Sequence, residues 1–254
     1  MSDAGPDNGV RALRALIDAA QPSADSDDED VPVAATVVIV RDGDAGAEVL
    51  MIKRPDRGSF AAAWVFPGGK LEPGDSAGGA GDDPMGAARR AGVRETAEET
   101  GLILDAAALV PLSHWDPPPG LQLRIRTWFF LAADPGGPIA LAADEVVASS
   151  WAHPGEMLER HGRGELTLYP PTWVTLRTLA ELSLGGAGDV ADLLAAVRMT
   201  GIRSFETRAA RGPSGPMLLW DGDAGFADGT VAAEAAARHR LDVSNLPWIY
   251  ERTV

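Results

Sequence analysis

The spacing of apolar and polar residues divides the chain into strands and helices. Two runs rich in β-branched residues, 31–41 and 48–54, predict a hairpin across a Gly/Asp loop, and a short run at 63–67 predicts a third strand. Apolar runs at 121–132 and 146–151 predict two more strands. The other predicted elements are helices at 84–100, 171–184, 190–199 and 231–240 and a strand at 216–220. Early hairpins mixed with helices indicate an α/β or α+β sandwich around a mixed sheet.

The helix predicted at 84–100 has a start signal and a stop signal. Asp83 suits the N-cap position, and Pro84 suits the first helical position, where its missing N–H costs nothing. Gly101 suits the position just past the C-terminal end, because glycine readily adopts the left-handed conformation required there. This helix therefore has well-defined predicted ends.

The chain divides into three parts. Residues 1–30 form an N-terminal tail, with an amphipathic helix predicted at 9–20 and an acidic linker at 21–30 that carries no core-forming residue. Residues 31–184 hold most of the predicted strands and helices and form the main domain. Residues 185–254 form a C-terminal extension that we expect to pack on that domain.

The composition of the 254 residues limits the classes of function. There are 22 Lys and Arg against 37 Asp and Glu, and this negative excess argues against a nucleic acid polymer or an anionic membrane as partner. The chain has no cysteine, which excludes disulfides, thiolate zinc sites and a cysteine nucleophile. No apolar run approaches the ~18 residues of a membrane-spanning helix. We therefore expect a cytoplasmic protein that acts on a small molecule, either as a monomer or as a homodimer.

Three carboxylates crowd the end of the helix predicted at 84–100. At about 100° per residue, Glu95, Glu98 and Glu99 share an arc of about 100°. The C-terminal end of a helix carries about half a negative charge, so each carboxylate there costs about 0.3–1 kcal/mol. Glu95 and Glu99 are also a like-charge pair four residues apart, and Arg94 is spaced to offset only Glu98. Residues that destabilise their own helix in this way often belong to a functional site.

Two interpretations of this acidic cluster are open: a solvated helix end, or a site for a hard divalent cation. Mg²⁺ and Mn²⁺ bind through oxygen ligands and would remove the electrostatic conflict. The segment ahead of the helix favours the second interpretation. There a strand end leads into the paired glycines Gly68 and Gly69, which allow the backbone to approach a ligand or metal closely.

Together these two segments resemble the Nudix box, whose pattern is G-x5-E-x7-R-E-U-x-E-E-x-G-U with U apolar. Gly69 begins the match, and Asp75 stands where the pattern has its first Glu. The second half is matched by Arg94, Glu95, Glu98, Glu99, Gly101 and Leu102, with Thr96 at the first U position. The spacer 76–93 has 18 residues where the pattern has 7, an insertion of 11 that separates Asp75 from the carboxylates but leaves their own spacing unchanged.

Other segments are similar to the Nudix branch that contains a peroxisomal coenzyme A diphosphatase. That branch has an expanded box, a stretch ending R-F-D-T-x-F-F, a Glu before Trp-x-x-Pro, and a helix beginning P-P-T-x-x-T-L. The corresponding stretches here are 124–130 (RIRTWFF), Glu145 ahead of 151–154 (WAHP), and 170–176 (PPTWVTL). Arg126 stands where the branch often has an acid. The resemblance covers residues 33–184.

The resemblance implies a Nudix-type α/β/α sandwich that hydrolyses a diphosphate linkage in a nucleoside diphosphate-linked small molecule, coenzyme A-like or similar, with Mg²⁺ or Mn²⁺ as cofactor. By this resemblance, Glu95, Glu98 and Glu99 are the catalytic carboxylates and metal ligands, and the Gly68 carbonyl is a further candidate ligand. Glu145 is the candidate metal-binding carboxylate outside the box. The positions implied to be structural in the motif are Gly69, Asp75, Arg94 and Gly101.

A diphosphate substrate also requires cationic ligands. Basic residues on the predicted elements around the box are the candidates for this role: Arg54, Lys70, Arg124 and Arg126. Phe60, Trp64 and Trp128 are either stacking partners for a base or pantetheine group, or residues of the core.

Two functions remain open from the sequence: a metal-dependent diphosphatase, and a non-catalytic sensor of the same fold that binds a nucleotide without cleaving it. Retention of Glu95, Glu98 and Glu99 favours the enzyme, because a sensor has no need of a destabilising acidic helix end.

Overall fold

The structure is a computed structural model that describes Arg14, Ile17 and residues 31–58, 60–76, 83–121, 124–231 and 237–253. Arg14 and Ile17 are helical, as the helix predicted at 9–20 requires, whereas the acidic linker 21–30 lies outside the described residues. None of the helices within the described ranges is long and apolar enough to cross a bilayer.

A mixed sheet of eight strands forms the centre of the described chain. The strands are β1 (Val33–Gly43), β2 (Gly46–Lys53), β3 (Trp64–Val65), β4 (Gly68–Lys70), β5 (Val110–Asp116), β6 (Arg126–Ala133), β7 (Ala148–Ala152) and β8 (Arg203–Glu206). Their spatial order is β3-β2-β1-β6-β5-β8, with β4 paired to β1 and β7 paired to β2. β1 runs parallel to β6 and β5 runs parallel to β8, while the other pairs are antiparallel.

Helices cover both faces of this sheet. They are α1 (Pro84–Thr100), α2 (Pro154–Gly162), α3 (Pro170–Leu184) and α4 (Val190–Thr200). On one face, the small residues Ala88 and Ala91 of α1 pack against Val37 of β1. On the other face, Val38 of β1 belongs to a core that includes Leu176 of α3. This arrangement confirms the predicted α/β/α sandwich around a mixed sheet.

A second sheet is formed by the C-terminal extension. Its strands are β9 (Arg208–Gly212), β10 (Gly215–Leu219), β11 (His239–Asp242) and β12 (Ile249–Arg252). Their order is β12-β11-β10-β9, and all of the pairs are antiparallel. The extension is joined to the main domain because β8 adds to the central sheet beside β5, and because Leu218 and Trp220 belong to the same core as α3.

Several boundaries differ from the predicted ones. The strand predicted at 121–132 begins only at Arg126, which is paired with Val33 at the start of β1. Of the residues before it, the described ones at 121, 124 and 125 lie outside any strand. The helix predicted at 231–240 is wrong at His239 and Arg240, which lie in β11, while 232–236 lie outside the described residues. The sequence reasoning also missed β4, β5, β8, α2 and every strand of the second sheet except β10.

His161 on α2 is a buried histidine without a polar partner. Its exposed fraction is 0%, and neither ring nitrogen has a hydrogen-bond partner among the described residues. It packs edge-on against Trp248, with the ring centroids 4.4 Å apart. Burial lowers the pKa of His161 to about 4, because the imidazolium would lose its hydration. The ring is therefore neutral in the folded protein at pH 7.

We expect acid to destabilise the fold through His161. Between pH 6.5 and pH 4 the unfolded chain binds a proton that the buried ring does not, so the free energy of unfolding falls as the pH drops through this window. The loss between pH 7 and pH 5 should be about 2 kcal/mol, measured by urea titration. His161→Leu should remove this part of the pH dependence; an unchanged pH dependence in the variant would contradict the expectation.

Candidate functional site

The site lies where the C-terminal end of α1 meets β4. The helix begins and ends as predicted: Asp83 accepts a hydrogen bond from the Met85 N–H, and Gly101 follows the last turn with φ 74°. β4 pairs with β1, and its first residue donates a backbone N–H to Glu99 Oε2 at 2.9 Å. The helix end and the glycine pair are thus held directly against each other.

Glu99 is the most enclosed carboxylate of the cluster. Its exposed fraction is 1%, and it accepts hydrogen bonds from the Gly68 N–H and from the Arg54 guanidinium. Burial raises the pKa of Glu99 to about 7, and the negative charges of Glu95 and Glu145 act in the same direction. Glu99 therefore lies close to the balance between its charged and neutral forms at neutral pH.

Arg94 links the two halves of the motif. It binds Asp75 through two nitrogens, Nη2 to Oδ2 at 2.9 Å and Nε to Oδ1 at 3.2 Å. Its Nη1 lies 3.0 Å from Glu95 Oε1 and 3.0 Å from Glu98 Oε2, and its Nη2 donates to the Lys70 carbonyl. The 11-residue insertion therefore does not prevent Asp75 from reaching the helix. Burial would raise the pKa of Asp75, but the hydrogen bonds from Arg94 and from the Glu72 N–H lower it overall.

Glu95 and Glu98 differ in exposure. The Glu98 side chain is 55% exposed, whereas that of Glu95 is 14% exposed. Burial raises the pKa of Glu95, and the charges of Glu98 and Glu145 add to this effect against the lowering effect of Arg94. Glu145, predicted as a carboxylate outside the box, is therefore close enough to both Glu95 and Glu99 to repel them.

Gly68 and Gly69 are required for two different reasons. A Cβ on Gly68 would lie 2.2 Å from the Ala35 carbonyl oxygen on β1, and Gly68 has φ 154°, so a side chain would collide with backbone. A Cβ on Gly69 would lie 2.3–2.5 Å from the three atoms of the Glu95 carboxyl group. Gly69 therefore leaves the space in which the Glu95 carboxylate is placed.

We expect Gly69→Ala to fold but to displace the Glu95 carboxylate. The atoms that meet the new Cβ are the end of a flexible side chain, so the chain adjusts with little loss of stability, while the site geometry changes. Any activity that depends on the position of this carboxylate should fall about 10-fold or more at a nearly unchanged melting temperature. Gly68→Ala should instead lower the melting temperature, because its obstacle is backbone.

Gly74→Ala is the control for this comparison, since a Cβ there has nothing within 4 Å. It should leave both activity and melting temperature near those of the wild type. Equal activity in Gly69→Ala and Gly74→Ala would show that the Gly69 position does not govern the carboxylate.

The donor set suits a hard divalent cation in its chemistry, although it is engaged by arginines. The carboxylates of Glu95, Glu98 and Glu99 repel one another, and oxygen donors of this kind are the ligands that Mg²⁺ and Mn²⁺ prefer. Within the described ranges, however, no three His, Cys, Asp or Glu side chains are already arranged as a metal-binding group. Arg54 and Arg94 hold these carboxylates instead, so binding a cation would require them to give up ion pairs.

A cavity of about 1200 Å³ opens beside the acidic cluster. Its charged end is lined by Arg54, Lys70, Glu95 and Glu145, together with the backbone of the glycine pair. Phe60 and Trp64, two of the candidate stacking residues, also line it, and Phe60 contacts Tyr169 edge-on with centroids 4.7 Å apart. The structure thus brings two predicted diphosphate ligands and one carboxylate of the acidic cluster, Glu95, to one cavity, whereas Glu98 and Glu99 do not line it.

Arg124 and Arg126 are not brought to this cavity. The residues that alternate with them, Ile125 and Thr127, line it instead, because successive side chains of an extended segment point to opposite sides. Arg124 Nη2 and Arg126 Nε each contact Asp116, both at 3.1 Å. Trp128 does not line the cavity either and packs against His114, with ring centroids 4.6 Å apart and planes tilted by 49°.

The sequence reasoning missed part of the cavity wall. Arg57 donates to the Asp144 carbonyl at 3.1 Å, which ties the loop after β2 to the segment that carries Glu145. Trp115, on the missed strand β5, and Leu218, in the extension, line the end of the cavity away from the acidic cluster. The alternation of apolar residues at 121, 123 and 125 was the available signal. It could not show which side of the segment faces a cavity, because that depends on how the sheet is assembled.

Similar proteins are found both by sequence and by structure. The model of the NUDIX domain matches residues 31–170. The crystal structure of a NUDIX hydrolase from Alicyclobacillus acidocaldarius is 26% identical, with a TM-score of 0.56, over 65% of this chain and 96% of that chain. A MutT NUDIX hydrolase from Burkholderia pseudomallei is 25% identical, with a TM-score of 0.42, over 59% and 98% of the two chains.

A third structure, the NUDIX domain of Shewanella oneidensis NrtR complexed with ADP ribose, is 14% identical, with a TM-score of 0.46, over 71% of this chain and 98% of that chain. No curated protein matches the sequence. The family model spans more than half of the 254 residues and includes the acidic cluster, the glycine pair and Arg94. The chain therefore belongs to the Nudix family.

Proposed function

We propose that this protein is a metal-dependent hydrolase that cleaves the diphosphate linkage of a nucleoside diphosphate-linked small molecule. One observation carries the proposal: a cavity whose charged end combines the cations Arg54 and Lys70 with the carboxylates Glu95 and Glu145, directly beside the buried Glu99. Arginine and lysine side chains bind the oxygens of a diphosphate through charge-assisted hydrogen bonds. Carboxylates bind the divalent ions that accompany such substrates.

Glu95, Glu98 and Glu99 are the residues that would hold Mg²⁺ or Mn²⁺, with Glu145 and the Gly68 carbonyl as candidates for the remaining positions. The bound ions would neutralise the diphosphate and lower the pKa of a coordinated water. Arg94 fixes Glu95 and Glu98 relative to Asp75 and thereby limits the rearrangement of the site. Much of the catalysis would come from this positioning of charge.

Glu95 is the candidate for the group that accepts the proton of the attacking water. It lines the cavity, and its raised pKa moves it toward the range in which a general base works best at neutral pH. Burial raises the pKa of Glu99 to about 7, but its oxygens are bonded to Arg54 and to the Gly68 N–H. Glu99 is therefore better suited to hold charge than to move a proton.

A coenzyme A-like molecule is the proposed substrate class. The segments at 124–130, 151–154 and 170–176 resemble the coenzyme A diphosphatase branch, and the cavity is large enough for a substrate with an extended leaving group. Arg54 and Lys70 would contact the diphosphate. The same role for Arg124 and Arg126 stays a prediction that the cavity lining does not support.

The direct test is a panel of coenzyme A, acyl-coenzyme A, ADP-ribose, NADH and oxidised deoxynucleoside triphosphates, incubated with Mg²⁺ or Mn²⁺. We expect metal-dependent release of a nucleoside monophosphate or phosphate product from at least one diphosphate. Saturable binding of a panel member without turnover would overturn the enzyme in favour of the nucleotide sensor.

Metal binding should also be visible as thermal stabilisation. A ligand at about 100 times its dissociation constant stabilises a fold by about 2.7 kcal/mol, which corresponds to about 5–10 °C in Tm for a chain of this size. We expect this shift in the wild type with Mg²⁺ or Mn²⁺, measured by differential scanning fluorimetry. The double variant Glu98→Gln/Glu99→Gln should show no shift. An equal shift in both proteins would place the metal elsewhere.

A further inference from the structure

The end of the cavity away from the acidic cluster is built partly from the C-terminal extension. Thr207 and Leu218, which lie beyond the residues matched by the family model, line this end, and their exposed fractions are 6% and 4%. Trp115 of β5 lines it as well and stacks on Phe205 of β8, with ring centroids 3.9 Å apart and planes 2° apart. The extension thus closes the cavity with a rigid aromatic and aliphatic wall.

The register of the sheet gives the distance from this wall to the charged end. Lys70 lies opposite Ala34 on β1, and Ala34 lies opposite Thr127 on β6. Thr127 in turn lies opposite Trp115 on β5. Three interstrand spacings of about 4.8 Å therefore separate the backbones of Lys70 and Trp115 by about 14 Å.

Polar groups at this far end are bonded within the protein. The Trp115 indole N–H donates to Ser113 Oγ at 3.0 Å. The Thr207 hydroxyl accepts from the Trp220 indole N–H at 3.0 Å and donates to the Phe205 carbonyl. The Thr127 hydroxyl donates to the Ile125 carbonyl. Because these polar groups are bonded within the protein, the surface open to a bound molecule is mainly carbon. Ile125, Phe129 and Leu218 contribute the rest of this apolar surface.

The N-terminal tail adds to the same closure. Ile17 lines the cavity with an exposed fraction of 4%, and Arg14 Nε donates to the Val243 carbonyl of the extension at 2.9 Å. The N-terminal tail and the C-terminal extension, which both lie outside the residues matched by the family model, therefore contact each other near the cavity.

We propose that this end is an apolar subsite that binds a hydrophobic group carried by the substrate about 14 Å from the diphosphate, and that Leu218 sets the size of the group admitted. The proposal rests on the proposed function, because the charged end is taken as the diphosphate position. The substrate class is a nucleoside diphosphate joined to a molecule with a long aliphatic or aromatic end. The extension, in this view, determines specificity.

The test compares two non-hydrolysable methylene analogues of ADP esters, one with a methyl and one with a decyl group, by calorimetric titration. Each methylene that leaves water strengthens binding by about fourfold. Burial of only the last two or so methylenes of the decyl chain in the subsite should therefore make the wild type bind the decyl analogue about 10-fold or more tightly than the methyl analogue. Leu218→Trp should reduce this ratio to about twofold or less by filling the subsite, without weakening binding of the methyl analogue. Leu218→Met, which conserves volume, should keep the ratio.

Leu218 is buried, so a second variant protects the test against misfolding. Ile125 is half-buried at the same end, and Ile125→Glu should abolish the preference by placing a charge in the subsite. Ile202→Glu is the control: Ile202 is 48% exposed, lies in the extension and does not line the cavity. It should bind both analogues as the wild type does.

Equal binding of the two analogues by the wild type, including no detectable binding of either, would overturn the subsite. Equal loss of affinity for both analogues in Leu218→Trp and Ile125→Glu would overturn it as well. Hydrolysis of the ordinary methyl ester with Mg²⁺ tests the proposed function separately, because the methyl ester does not reach the apolar end. A protein that prefers the decyl analogue but does not hydrolyse the methyl ester would thus support the subsite and contradict the proposed diphosphatase.

Discussion

Glu98→Gln is expected to lower kcat/KM for the diphosphate substrate by about 100- to 1000-fold, the loss that follows removal of one group that holds developing charge in place. The substitution keeps the size and the hydrogen-bonding shape of the side chain and removes its negative charge. Because the Glu98 side chain is 55% exposed, the loss of charge should leave the fold intact. Glu99 is less suitable for this test, since its carboxylate is buried and bound to Arg54.

The matched control for Glu98→Gln is Glu181→Gln on α3. Glu181 is 51% exposed and pairs with Arg177 one turn earlier at 2.7 Å, as Glu98 pairs with Arg94 at 3.0 Å. Both variants lose the same kind of surface ion pair, which is worth about 0.3–0.5 kcal/mol. Only Glu98→Gln should lose activity, in a steady-state assay with saturating Mg²⁺. Similar activity in the two variants would contradict the proposed role of Glu98 in binding the metal.

The acidic cluster was predictable because its signal is local. The spacing of Glu95, Glu98 and Glu99 places them on one helix face, and Gly101 fixes where that helix ends. Both follow from the geometry of a single element. The approach of Gly68 to Glu99 could be proposed only from the motif resemblance, since it depends on how β4 pairs with β1.

Long-range pairing explains what the sequence reasoning missed. Residues 231–240 are rich in alanine and favour a helix by propensity, yet Arg240 lies in β11 because its partner Asp223 and strand β10 hold it there. Likewise, the predicted cations Arg124 and Arg126 lie near the box in sequence terms, but strand alternation turns them away from the cavity. Whether a strand side chain faces the cavity depends on which face of the sheet borders the cavity, and only the assembled fold defines that face.

The cavity wall shows the same limit. Trp115 and Leu218 are about one hundred residues apart and line the same cavity. The strand that carries Leu218 was predicted, but β5, which carries Trp115, was not. Both residues lie at the end of the cavity away from the acidic cluster, and this place follows from β8 joining the main sheet next to β5.

Asp223→Asn is expected to lower the free energy of unfolding by about 3–5 kcal/mol, because it leaves a buried arginine without its counter-charge. The Asp223 and Arg240 side chains are 0% and 4% exposed, and they form two hydrogen bonds, at 2.6 and 2.8 Å. Asp223 also accepts the backbone N–H groups of Gly225 and His239, both at 2.9 Å. Burial would raise the pKa of Asp223, but these hydrogen bonds lower it overall, so the pair is charged at neutral pH.

Urea denaturation followed by tryptophan fluorescence measures this loss, since Trp220 packs within the extension. Asp223→Asn/Arg240→Met should recover part of the stability, because removing both charges leaves no uncompensated ion in the core. Glu251→Gln is the matched control: it breaks the half-exposed pair with Arg238 in the same sheet and should cost about 1 kcal/mol or less. If Asp223→Asn lowered the free energy of unfolding no more than Glu251→Gln does, the buried pair would not stabilise the extension. Other interactions would then have to hold the part of the cavity wall that the extension forms.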